Sequence, residues 1–172
     1  MRVALFHNRY AQRGGEDEAF DREVDLLRKA GCEAHVFTVD NGELRGPFDT
    51  LRAALTARSS RRMAMRVTRF LAQHPVDLGH VHNFFPLLTP AVHEMLFMLC
   101  TPIVQTLHNY RLVCAHGGFL RDGRRCEDCV VAGPWNAVRH GCWRDSRLAT
   151  AVWADVTRTA RRWGIWELSL IH

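Results

Sequence analysis

The sequence predicts an α/β protein: a Rossmann-like parallel sheet with helices on both faces, plus a Cys-rich loop insertion after the fourth strand. Three observations predict it. Short apolar runs alternate with stretches of helical periodicity, in the order strand, helix, strand, helix, strand, helix, strand. The apolar runs are nearly continuous, as strands covered on both faces require. Clusters of His, Asn and Arg follow three of those runs, where open α/β sheets hold ligands beyond the carboxyl ends of their strands.

Residues 2–7, "RVALFH", read as the first strand. Residues 15–30 read as a helix, with Phe20, Val24, Leu27 and Ala30 at spacings of four and three. Acidic residues fill its first turn, Arg28 and Lys29 its last, and Gly31 ends it. Residues 34–39, "AHVFTV", read as the second strand, closed by a turn at Asn41-Gly42. A helical stretch over 47–73 breaks near Ser59-Ser60. Residues 76–84 form the third strand, 88–100 a helix with Pro90 near its start, and 102–107 the fourth strand.

The chain has 172 residues, 47% of them hydrophobic, enough for one domain with its own core. A mean hydropathy of −0.18 and the lack of a long apolar run argue against a membrane span. The opening "MRVALFHNRY" is too short in apolar residues for a secretory signal, so a cytoplasmic location is expected. Net charge is +5, nearly all of it from arginine, since Lys29 is the only lysine. The arginines are spread along the chain, so nucleic acid is not an expected partner. The stretch "SSRRMAMRVTRFLAQH" has a basic amphipathic pattern that suits peripheral contact with anionic lipid. Packing of its apolar face on the sheet is the favoured alternative.

Three His-Asn pairs follow apolar strands: His7-Asn8, His82-Asn83 and His108-Asn109. One such pair is readily a structural accident; three at one sheet edge point to a site. Gly14-Gly15 opens the first helix, either to let backbone N–H groups approach an anion or as a plain loop-to-helix turn. Neither glycine belongs to a G-x-G-x-x-G fingerprint. Cys114, Cys126, Cys129 and Cys142 follow the spacing C-x11-C-x2-C-x12-C. That set suits a structural zinc, with His116 and His140 as substitute ligands; free thiols and disulfides are the other readings. Cys32 and Cys100 fall at helix ends and read as ordinary buried residues.

The stretches "HNRYAQRGGEDEAFDREVDLLRKAG", "VHNFFPLLTPAV", "PIVQTLHNYRLVC" and "FLRDGRRCEDC…RHGCWRDSRLATAV", taken in order, resemble the N-terminal domain of bacterial family-4 glycosyltransferases of the GT-B architecture. The resemblance runs, with gaps, from residue 1 to about 163. It implies one of two Rossmann-like domains facing a cleft. In that family the N-terminal domain receives a glycan or lipid-linked acceptor, and the C-terminal domain binds the nucleotide-sugar. Transfer with retention of anomeric configuration, and no cofactor for catalysis, are implied as well.

Carried over by motif, the resemblance makes His108 the residue next to the transferred sugar. It gives Gly14, Gly15 and Glu16 to the phosphate-approaching loop and His82 and Asn83 to the rim. Asn109 and Arg111, beside His108, join the expected substrate-binding set. The expected organisation is a domain over 1–163 with a Cys-rich segment at 109–146. Residues 164–172 are expected as a truncated tail, with the donor-binding domain absent and the isolated chain inactive. The competing expectation is a stand-alone zinc-containing module that binds nucleic acid or protein.

Overall fold

The computed structural model describes residues 1–43 and 46–171. Its strands and helices, in chain order, are β1 (Arg2–Arg9), α1 (Gly15–Lys29), β2 (Glu33–Asp40), α2 (Pro47–Thr56), α3 (Arg61–Gln73), β3 (Leu78–Val81), α4 (Ala91–Met98), β4 (Ile103–Gln105), β5 (Leu120–Arg121), β6 (Arg124–Arg125), α5 (Asp128–Ala132), α6 (Asn136–His140), α7 (Arg147–Arg162) and β7 (Ser169–Ile171). The chain divides into two compact units, Met1–Thr106 with Glu167–His172, and Leu107–Trp166.

The first unit is a parallel, Rossmann-like sheet in the order β2-β1-β3-β4-β7. β1 is buried between β2 and β3, with Val3 opposite Ala34 and Leu78, and Phe6 opposite Phe37 and Val81. The period of two sends alternate residues to opposite faces. Val3 and Leu5 pack beneath Phe20 and Val24 of α1. Phe6, on the other face, meets Phe37 and Phe70 of α3, its ring 5.9 Å from that of Phe70. Helices therefore cover both faces, as expected.

Local chemistry accounts for the helix ends. Gly31 ends α1 at φ +80°, and the Cys32 N–H then reaches the Leu27 carbonyl at 2.9 Å. The expected break near Ser59-Ser60 is real: the Ser60 hydroxyl accepts from the Met63 N–H and starts α3. Arg61–Gln73 buries Met63, Val67 and Leu71, so its apolar face is used inside the unit. No helix among the described residues is long and apolar enough to cross a membrane.

Two boundaries differ from expectation. β3 stops at Val81 and does not run to residue 84, because the Asn83 carboxamide oxygen accepts from the Phe85 N–H and turns the chain. The segment expected as a tail over 164–172 contains a strand. Ile165 is buried, and Ser169–Ile171 forms β7, parallel to β4. A three-residue strand has too little pattern of its own to be read from sequence. It forms because the edge of β4 offers unpaired backbone groups.

Gly79 sits where α4 crosses β3; a Cβ there would lie 2.6 Å from both δ-carbons of buried Leu96. We expect Gly79→Val to overpack this contact and cost about 1–3 kcal/mol, read as a lower urea midpoint at unchanged slope. The wholly buried His93 imidazole is 2.8 Å from the Gln105 carboxamide oxygen. Burial lowers its pKa to about 4, against the opposing hydrogen bond. The unfolded residue takes up its proton near pH 6.5, the native one only near 4. Its contribution is therefore intact above pH 6.5 and lost as pH falls toward 4, by about 3 kcal/mol. Urea titrations at pH 7 and pH 4.5 should show that loss in the native sequence and a smaller one in His93→Gln.

The second unit contains the Cys-rich segment and extends past residue 146 to include α7. Its core is Ala115, Cys129, Ala137, Trp153 and Ala154, with Val138, Cys142 and Trp143 against it. Ser146 caps α7 by accepting from the Ala149 N–H, and Trp153 on that helix donates its indole N–H to the Arg111 carbonyl at 2.9 Å. β5 and β6 form a short antiparallel pair.

Candidate functional site

In the first unit the carboxyl ends of β1 and β3 lie side by side, and α1 packs over them. Odd-numbered residues of β1 face α1, so His7 continues the row of Val3 and Leu5 into the covered face. His80 is registered opposite Leu5, and His82, two residues on, shares its face. Three imidazoles therefore lie beneath one helix, and α1 answers them with carboxylates.

Asp17, itself buried, places Oδ1 2.9 Å from His7 Nε2 and accepts from the Gly14 N–H with Oδ2. One carboxylate thus starts the helix and holds the histidine. Phe20, one turn on, stacks on His7 with ring centroids 4.6 Å apart and lies perpendicular to His82 with centroids 5.0 Å apart. Glu23, a further turn on, places Oε1 3.0 Å from His80 Nδ1 and Oε2 3.5 Å from His82 Nε2. His80 Nε2 in turn lies 2.8 Å from the Thr106 hydroxyl. The spacing of Asp17, Phe20 and Glu23 by threes puts all three on the sheet side of α1.

The asparagines expected beside these histidines serve the backbone. Asn8 donates to Asn41 and accepts from the Leu87 N–H, while Asn83 donates to the Asn8 carbonyl and accepts from Phe85. Together they tie the ends of β1 and β3 to the following turns. His82 and Asn83, expected to project as a substrate rim, are therefore committed inward: His82 packs under α1 and Asn83 holds a turn. Sequence proximity to a strand end does not set side-chain direction; the period of two does.

Gly14 and Gly15 do reach the expected position at the start of α1. Gly14 is extended, at φ −133°, and neither glycine has any atom within 4 Å of where a Cβ would stand. Neither backbone strain nor packing requires glycine at these positions. Glu16 accepts from the Tyr10 hydroxyl at 2.8 Å. Nearby, Arg9 and Arg13 converge on Asp21, whose carboxyl is held below its usual range by the Arg9 hydrogen bond.

His108, Asn109 and Arg111 belong to the second unit. His108 is half-buried; Asn109 accepts from the Arg111 N–H at 2.8 Å, fixing the turn that follows His108. The Tyr110 N–H bonds the Gly117 carbonyl, and Gly117, at φ +86°, lets the loop close against Asn109 and Arg111.

None of the six cysteines is paired in a disulfide. Burial raises the Cys129 and Cys142 thiols, and the neighbouring Cys114 and Cys126 thiols add to it, so the quartet shares one region of the second unit. Among the described residues, the donor set whose atoms lie within 4.8 Å of one another is Glu23, His80 and His82. The buried members of the quartet, Cys114 and Cys129, serve as small apolar core residues, whereas Cys100, expected to be buried, is exposed. Glu23 was missed in the sequence because a glutamate in an amphipathic helix reads as solvated. Its only signal is its place three residues after Phe20 and four before Leu27, inside the apolar face.

The first unit is thus a parallel α/β sheet with a buried imidazole–carboxylate array under its first helix. Compared with known protein families, curated proteins and solved structures, the chain matches none.

Asp17→Ala should be among the most destabilising single changes in the first unit. It removes the partner of wholly buried His7 and the acceptor for the Gly14 N–H, a loss of about 3–5 kcal/mol for a broken buried pair. Chemical denaturation measures it; a change below 1 kcal/mol would mean that the contact does not hold the helix.

Proposed function

We propose that the chain is the acceptor-side N-terminal domain of a retaining glycosyltransferase, one that moves a sugar from a nucleotide-sugar donor to a glycan or lipid-linked acceptor. The observation that carries this reading is the Gly14-Gly15 opening of α1. These are two glycines that conformation and packing leave unexplained, at the positive end of a fifteen-residue helix beyond the carboxyl edge of β1. Clear space beside backbone N–H groups suits the approach of a phosphate-bearing substrate. The ordered resemblance of four motifs to family-4 glycosyltransferases supports the same reading, and the parallel α/β sheet is the fold that resemblance implies. Within it, His108 acts beside the transferred sugar, with Asn109 and Arg111 shaping its loop.

Catalysis of glycosyl transfer rests on holding donor and acceptor together, worth about 7–11 kcal/mol of the barrier. The reading assigns donor recognition to a second domain outside these 172 residues. Isothermal titration of the 172-residue chain against UDP- and GDP-sugars should therefore show no low-micromolar binding; such binding would mean that the donor site lies in this half. When the chain is joined to its donor-binding half, His108→Ala should lower kcat on the order of 10²–10³-fold with little change in KM. An unchanged kcat would remove His108 from the reaction.

A further inference from the structure

We propose that Glu23, His80 and His82 form a binding site for a borderline divalent cation of the Zn²⁺ or Co²⁺ class. The three side chains come from two elements that pack rigidly: β3 and the residue after it supply the imidazoles, α1 the carboxylate. One donor atom from each lies within 4.8 Å of the other two, and the two carboxylate oxygens of Glu23 are 3.0 Å from His80 Nδ1 and 3.5 Å from His82 Nε2. With metal–nitrogen and metal–oxygen bonds of about 2.0–2.2 Å, the edges of an octahedral or tetrahedral shell are roughly 3.0–3.5 Å. The site is already near the size of such a shell.

The chemistry of the donor set selects the ion. Two imidazoles and one carboxylate suit zinc, cobalt or ferrous iron; calcium and magnesium prefer shells of oxygen alone. A dication balanced by one carboxylate keeps a net charge near +1, and with three protein ligands a position is open for water or a small anion. The surroundings orient the ligands as metal sites require. His80 Nε2 can donate its proton to the Thr106 hydroxyl, which leaves Nδ1 as the lone pair facing Glu23. His82 is held by the perpendicular Phe20 ring and by the His80 ring, 4.5 Å away. The imidazoles are almost wholly covered, whereas the Glu23 side chain keeps about a quarter of its surface in solvent, so the ion enters past the carboxylate. The inference is independent of glycosyl transfer.

Co²⁺ titration of the metal-stripped 172-residue chain, followed by visible absorption, tests it. The expected result is one equivalent with ligand-field bands and no sulfur-to-cobalt charge transfer, which separates this site from the cysteines. Glu23→Gln and His82→Gln, each checked for native circular dichroism, should weaken that binding at least tenfold. Thr106→Val should weaken it by roughly 10–100-fold and Thr106→Ser restore it. No cobalt uptake, or uptake that shows only thiolate charge transfer and is unaffected by Glu23→Gln, would overturn the proposal.

Discussion

Burying imidazoles beneath a helix is tolerable only if that helix supplies their partners, and this constraint organises the first unit. His7, His80 and His82 share the face of the sheet that α1 covers, where an unpaired polar group carries a penalty of several kcal/mol. Asp17 and Glu23 meet them at 2.9 and 3.0 Å, with Phe20 filling the space between. A hydrophobic contact tolerates sliding; an imidazole–carboxylate contact does not. The rotation and height of α1 over the sheet are therefore held by two polar anchors just under two turns apart. The apolar pairs at Val3, Leu5 and Val24 add non-directional burial.

The same constraint links structure to the readings of function. Asp17 holds His7 and also caps α1, so the glycine opening of the helix is presented on a fixed frame. A loop meant to approach a substrate benefits from that rigidity, because its backbone N–H groups then need no reordering on binding. Glu23 bridges two histidines with opposite oxygens, an arrangement equally able to share protons or to close on a cation. The two roles occupy neighbouring turns of one helix and use different residues.

The second unit is stabilised differently. Its helices are short apart from α7, and its core is built from alanines, two tryptophans and two cysteines packed around Trp153. Small side chains let short elements approach closely, while Trp153 is the largest buried side chain of that core and its indole N–H secures the loop at Arg111. The cysteines are explained in part by that packing, which the spacing of their sequence positions cannot express.

Much of this was legible without coordinates. Nearly continuous apolar runs separated by helical periodicity specify a parallel α/β sheet, since only helices on both faces bury such strands. Gly31 and Ser60 mark helix ends through backbone conformation and side-chain capping, both local effects that a sequence carries openly. Direction and distance were decided elsewhere. That His82 turns inward follows from the pleat and from its register with β1. That Glu23 is mostly covered follows from how α1 is rotated over β3. Ser169–Ile171 becomes a strand only because β4, more than sixty residues earlier, leaves an edge to pair with. Sequence by itself determined the alternating strands and helices of residues 2–107 and where polar residues would gather. Tertiary structure alone decided which of those residues face one another, because contacts between distant segments depend on packing that no local pattern encodes.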